Sequence, residues 1–336
     1  MTPPTEPRNR AYPKIELHVH FEGTIRAETV LRLAHRHGVE LAAETPEELA
    51  ALLQFRNFDN FIEAFLVVTG VLLHEDDFRE ILVEYAAEAA AHGALYLEGI
   101  FSPAQAVRRG VSWDAVFSGY CEGVQEARRR HGVEVRLTPD VTRSFSLEMA
   151  AETARHAIAY RDRGVVGLGL GGYEAEFPPE PFEGTFKAAR DAGLGSVPHA
   201  GEVAGPESVR GAIEALGADR IRHGIAAAED EELMRELAER GIVLDVCPTS
   251  NLLTGVVRTL DEHPLSRLLA AGVACSISTD DPAFFNTDLT REHEAAWSLG
   301  LHPREAFAAG VAGALCDDET RDRLRAVGDA YDWDAL

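Results

Sequence analysis

The chain has 336 residues, 46% of them hydrophobic, and a formal net charge of −24. That length fits one large α/β barrel, and the apolar content is enough for a large buried core. The acidic balance excludes the basic surface that nucleic acid or an anionic membrane requires. Arginine carries almost all of the positive charge, because the only lysines are Lys14 and Lys187. Cys121, Cys247, Cys275 and Cys316 are widely scattered, with no CxxC pair and no pattern of a disulfide framework. Met1 to Pro13 is polar and Pro-rich, unlike a signal peptide, and no apolar run could span a bilayer. The expectation is a cytoplasmic protein with a disordered tail over 1–13 and a single domain over 14–336.

Short apolar, β-branched runs predict strands over 14–19, 94–101, 133–139, 164–171, 194–198, 220–223, 242–247 and 273–279. Amphipathic stretches predict helices over 75–91, 112–130, 147–162, 182–191, 206–216, 230–240 and 264–271. Strands interleaved with helices in this way predict a (β/α)8 TIM barrel. A doubly wound open sheet would carry a Gly-rich phosphate loop after its first strand, and His18-Val19-His20-Phe21-Glu22-Gly23-Thr24 is not one. Residues 22–93 are too many for a simple connection, so helices must be inserted there. Phe55, Phe58, Phe61 and Phe65 recur at nearly helical spacing within that insertion. They read either as core packing or as an apolar lid over the C-terminal face of the barrel. The segment after Leu289 reads as helices packed outside.

Polar clusters follow four of these strands. Alternation puts His18 and His20 on one side of the first strand. His199 ends the fifth, with Glu202 opening the next loop; His223 ends the sixth; Asp280 and Asp281 end the last. Singly, each has an ordinary reading as a core histidine, a helix-starting acid or a turn before Pro282. Jointly, at the C-terminal strand ends of one barrel, they predict a metal site with its own acid and base. Three imidazoles and a carboxylate suit zinc, with a position left open for water. Adjacent aspartates point to opposite sides of a strand, so one should ligate and its neighbour should serve substrate or water. Neither lysine lies at a strand's C-terminal end to form a carboxylated bridge between two metals, which favours one Zn2+ per chain.

The stretches ELHVHFEGT, LEGIFSP, GLGLGGYE, VPHAGE, RIRHG, DVCPTSN and SISTDDPAFF run in the order of the adenosine deaminase family, which the chain resembles over nearly its whole length after Pro13. The resemblance implies a zinc barrel that hydrolyses the 6-amino group of a small-molecule purine. It implies His18, His20, His199 and Asp280 as metal ligands and Glu202 as the donor of a proton to purine N1. It further implies that His223 and Asp281 orient the attacking water, and that the Gly172 N–H meets N3. Phe58 and Phe61 would face the substrate from the lid.

Departures from the family pattern fall at the ribose end. Glu22 stands where an aspartate is usual, Gly99-Ile100-Phe101-Ser102-Pro103 lacks the usual arginine, and Tyr173 to Pro179 looks more like the adenine deaminase branch. A nucleoside with a modified 5′ end, such as 6-aminodeoxyfutalosine, is the favoured substrate, with Arg143 a candidate partner for its benzoate. The rivals are free adenine, another amidohydrolase reaction with a second metal, and a degenerate barrel that only binds. No oligomeric state is legible in the sequence.

Overall fold

The computed structural model describes residues 12–53 and 58–336, with side chains throughout except at 58–62. Its strands are β1 (Lys14–His20), β2 (Ala94–Ile100), β3 (Glu134–Leu137), β4 (Asp140–Thr142), β5 (Gly167–Gly171), β6 (Gly195–Ser196), β7 (His199–Ala200), β8 (Arg220–His223), β9 (Val243–Val246) and β10 (Cys275–Ile277). Every pairing among them is parallel. They hydrogen-bond in three runs, β1-β2-β3, β4-β5-β6 and β7-β8-β9-β10. The breaks fall beside Pro139 and Pro198, which lack the N–H that a ladder needs. Pairing resumes past each proline, with Asp140 N donating to Phe101 O at 2.9 Å and Arg222 N to Pro198 O at 3.0 Å. Thus β3 with β4, and β6 with β7, each fill one of eight barrel positions. The ring closes between its first and last strands: His20 N donates to Asp280 O at 2.8 Å and Asp280 N to His18 O at 3.1 Å. The fold is the (β/α)8 barrel expected from the strand–helix alternation.

The long first connection holds α1 (Ala27–His37), α2 (Pro46–Leu52), α3 (Phe58–Thr69) and α4 (Glu75–Ala91). Asp77 fastens the start of α4, accepting from His74 N at 2.8 Å and Leu73 N at 3.0 Å. The side chains of Phe55, Phe58 and Phe61 lie outside the described residues. Phe65 is buried and stacks on Phe284, with ring centroids 6.1 Å apart. Residues 1–11 of the expected tail also lie outside the described residues. The expected boundary at 13 needs correction, because Tyr12 and Pro13 are buried. The Tyr12 ring meets Trp333 and His293 edge-on, which ties this end to the C-terminal helices. No helix among the described residues is long and apolar enough to cross a membrane.

Below the barrel mouth lies a buried ionic cluster. Arg220 donates to Asp245 Oδ2 at 2.6 Å, to Glu98 Oε2 at 2.7 Å and to the carbonyls of Gly313 and Leu17. Tyr96 and Ser276 complete the two carboxylates at 2.8 and 2.6 Å. Such charges survive burial only because each is paired and hydrogen-bonded.

Candidate active site

The pairing of β1 with β2 slips between Glu16 and Val19, and the end of β1 then presents His18 and His20 together. Their Nε2 atoms lie 3.2 and 3.4 Å from Asp280 Oδ1. His199, from β7, brings its Nε2 within 3.2 Å of His20 Nε2. Ligand atoms of His18, His20, His199 and Asp280 all fall within 4.8 Å of one another. His18 Nε2 is buried, and despite its nearness to Asp280 it makes no hydrogen bond. Four ligand atoms this close, one of them orphaned, have the spacing of donors around one ion. Burial pushes the His20 imidazole down to about 4, and those of His18 and His199 well below their usual range. All three are thus neutral, the form that binds a metal. Burial raises the Asp280 carboxyl, but the polar faces of His18, His223 and His20 turned toward it outweigh burial and lower it below the usual carboxylate range.

Groups behind the cluster orient it. Ser250 Oγ donates to Asp280 Oδ2 at 2.6 Å, and His199 Nδ1 bonds Leu170 O at 3.0 Å with Asp140 Oδ2 at 3.4 Å. Asp140 in turn pairs with Arg222. The glycines of GLGLGG make room for that pair, since a Cβ on Gly169 would sit 2.0 Å from Asp140 Oδ1 and 2.2 Å from Arg222 Nη1. His223 and Asp280 both adopt left-handed backbone, at φ 61° and 64°. For non-glycine residues this costs free energy, and such strain collects at functional sites.

Glu202 stands beside His223, with Oε2 and Nε2 3.5 Å apart. Burial pushes the Glu202 carboxyl up to about 7 against the pull of His223. Its loop is held by Glu174, whose carboxylate accepts from the N–H groups of Gly201, Glu202, Val203 and Ala204 and from the Ser208 hydroxyl. Asp281 is buried with Oδ1 unpartnered, and burial together with Asp280 pushes its carboxyl well above the usual range.

One cavity joins these groups; its wall includes His20, His199, Glu202, His223, Asp280 and Asp281, with Ser102, Gln105, Phe65 and Phe285 around them. Gly172 borders it at φ 103°, a conformation that favours glycine. Two expectations need correction. Arg143 does not face the cavity: its guanidinium is buried and donates to Phe177 O and, at 2.7 Å, to His199 O. Glu22 is buried behind Ser102, whose N–H it binds at 2.8 Å, and burial lifts its carboxyl to about 7. The described side chains do not include Phe58 and Phe61. Asp140, Glu174, Ser250 and Asn251 were not singled out in the sequence, although Glu174 lies within the GLGLGGYE stretch and Ser250 and Asn251 within DVCPTSN.

The sequence profile of the family described as adenosine deaminase matches residues 13–329. The chain belongs to the adenosine deaminase family. It is accordingly a hydrolytic deaminase. The aminodeoxyfutalosine deaminase of Acidothermus cellulolyticus is 51% identical to this deaminase over 99% of the chain and 96% of the relative. The crystal structure of an adenine deaminase from Arthrobacter aurescens superposes with a TM-score of 0.90 at 29% identity, covering 96% of this chain and 100% of that one. A zinc-bound amidohydrolase from Burkhoderia ambifaria gives 0.89 at 29% identity, covering 97% and 91%.

Proposed function

We propose that this deaminase removes the 6-amino group of an adenine-type nucleoside carrying a modified 5′ end, with 6-aminodeoxyfutalosine as the favoured substrate. The observation that carries the reaction type is the convergence of His18, His20, His199 and Asp280, the last three of them sharing a cavity with Glu202. The 51% identity to an aminodeoxyfutalosine deaminase supports the substrate. The three-imidazole, one-carboxylate set and the orphaned His18 Nε2 fit a single zinc ion. Bound there, zinc would supply the Lewis acidity that brings the pKa of water to roughly 7.

The remaining roles belong to the chain. Glu202, raised to about 7, keeps a large protonated fraction at neutral pH and gives that proton to ring N1, so that negative charge need not build up on the ring as C6 is attacked. His223 Nε2 and the Asp281 carboxyl flank the attacking oxygen. The Gly172 N–H fixes the far side of the purine. Phe65 and Phe285 cover the site and thin out its water, which strengthens these interactions.

A second reading, free adenine as substrate, is favoured by the likeness to an adenine deaminase and by the cavity wall, whose described residues include no lysine or arginine to meet a benzoate. Ultraviolet assays of 6-aminodeoxyfutalosine, adenosine and adenine, run beside metal analysis, separate the two. The expected result is one zinc per chain and the highest kcat/KM on 6-aminodeoxyfutalosine. Preference for adenine would replace the nucleoside reading, and turnover of none would refute both.

A further inference from the structure

Behind His223 runs a chain of buried polar groups that the roles above leave unused. Leu265 N lies 3.1 Å from His263 Nδ1. A backbone amide can only donate, so Nδ1 carries a lone pair and the proton of a neutral His263 sits on Nε2. Burial does keep His263 neutral, lowering its pKa to about 4. Its Nε2–H donates a hydrogen bond to Asn251 Oδ1 at 3.1 Å. The Asn251 amide nitrogen can then only donate, and it faces His223 Nδ1 at 3.3 Å. His223 Nδ1 must therefore be the acceptor, which leaves its own proton on Nε2. That nitrogen points into the site, 3.5 Å from Glu202 Oε2 and 3.8 Å from Asp280 Oδ2. His223 and Asn251 are fully buried, and His263 is nearly so.

We propose that Asn251 and His263 are positioning residues that transmit the direction of the Leu265 amide to His223, locking it in the Nε2–H form. His223 then acts in the site as a hydrogen-bond donor, and its neutral ring offers no lone pair there to take a proton from water. The tautomer stands on the hydrogen-bond chain alone; only its catalytic consequence rests on the deaminase reading.

The test is a long-range 1H–15N spectrum of [15N]histidine-labelled, zinc-loaded protein, with His223 identified by its absence in His223→Gln. The Nε2–H pattern is expected in the unmutated protein, and an Nδ1–H pattern overturns the proposal whatever the activity. Asn251→Leu should scramble that pattern and lower kcat roughly 10–100-fold, the range for lost supporting hydrogen bonds, with KM little changed. His263→Gln can place an amide N–H where Nε2 was and should leave both readouts as in the unmutated protein, whereas His263→Asn should lose them. An unchanged tautomer and kcat in Asn251→Leu would also overturn it. If that variant fails to fold, the unmutated spectrum decides. If the unmutated protein turns over no 6-aminopurine, the functional reading fails while the tautomer result stands.

Discussion

Two buried polar clusters share this barrel, and they differ in one respect. Around Arg220, Glu98 and Asp245 every charge has its partners. At the mouth, His18 Nε2, Asp281 Oδ1 and Asp140 Oδ2 are buried without a hydrogen bond. Burying polar atoms is costly in both places. The saturated cluster recovers that cost internally and serves the fold. The other leaves it open for the proposed ion and substrate to recover.

Four perturbations sharpen the contrast, in decreasing order of effect. Removing the metal by chelation, or changing His18 to Ala, should abolish turnover while circular dichroism shows a folded barrel; zinc should restore the chelated protein but not the variant. Glu202→Gln should lower kcat by about 10²–10⁴ with zinc content unchanged; full activity would refute its role as acid. Arg220→Met leaves Glu98 and Asp245 unpaired and should lower unfolding free energy by about 3–5 kcal/mol in urea titrations, with little change in kcat of the folded fraction. Glu174→Gln places an NH2 against backbone donors and should weaken catalysis more modestly, with Glu174→Asp intermediate. The pH dependence follows from Glu202, which acts only when protonated. Raised to about 7, it should sustain kcat/KM below that value and lose it as pH rises through it, a limb that disappears in Glu202→Gln.

Much of this was legible in the sequence because period and position carry it. The helix expected at 75–91 is α4, and each predicted strand overlaps an observed one. The four clusters were readable because barrel sites occupy C-terminal strand ends. Arg143 misled because a long side chain can turn either way from its backbone, and here it turns onto carbonyl oxygens. Asp140, following a proline in TPDVT, looks like turn chemistry; only the fold reveals Arg222 and His199 beside it. Asn251 and His263 act through partners distant in sequence or through a ring nitrogen, and no local pattern encodes that.

Asp280 supplies a carboxylate to the proposed ion while its own main chain laces the last strand to the first. An ion held by the Asp280 carboxylate would therefore add a second tie across a seam that the main chain already closes. Loading should rivet the cylinder where a parallel sheet would otherwise unzip, and amide exchange at His20 and Asp280 should slow more than at Arg222 or Val246.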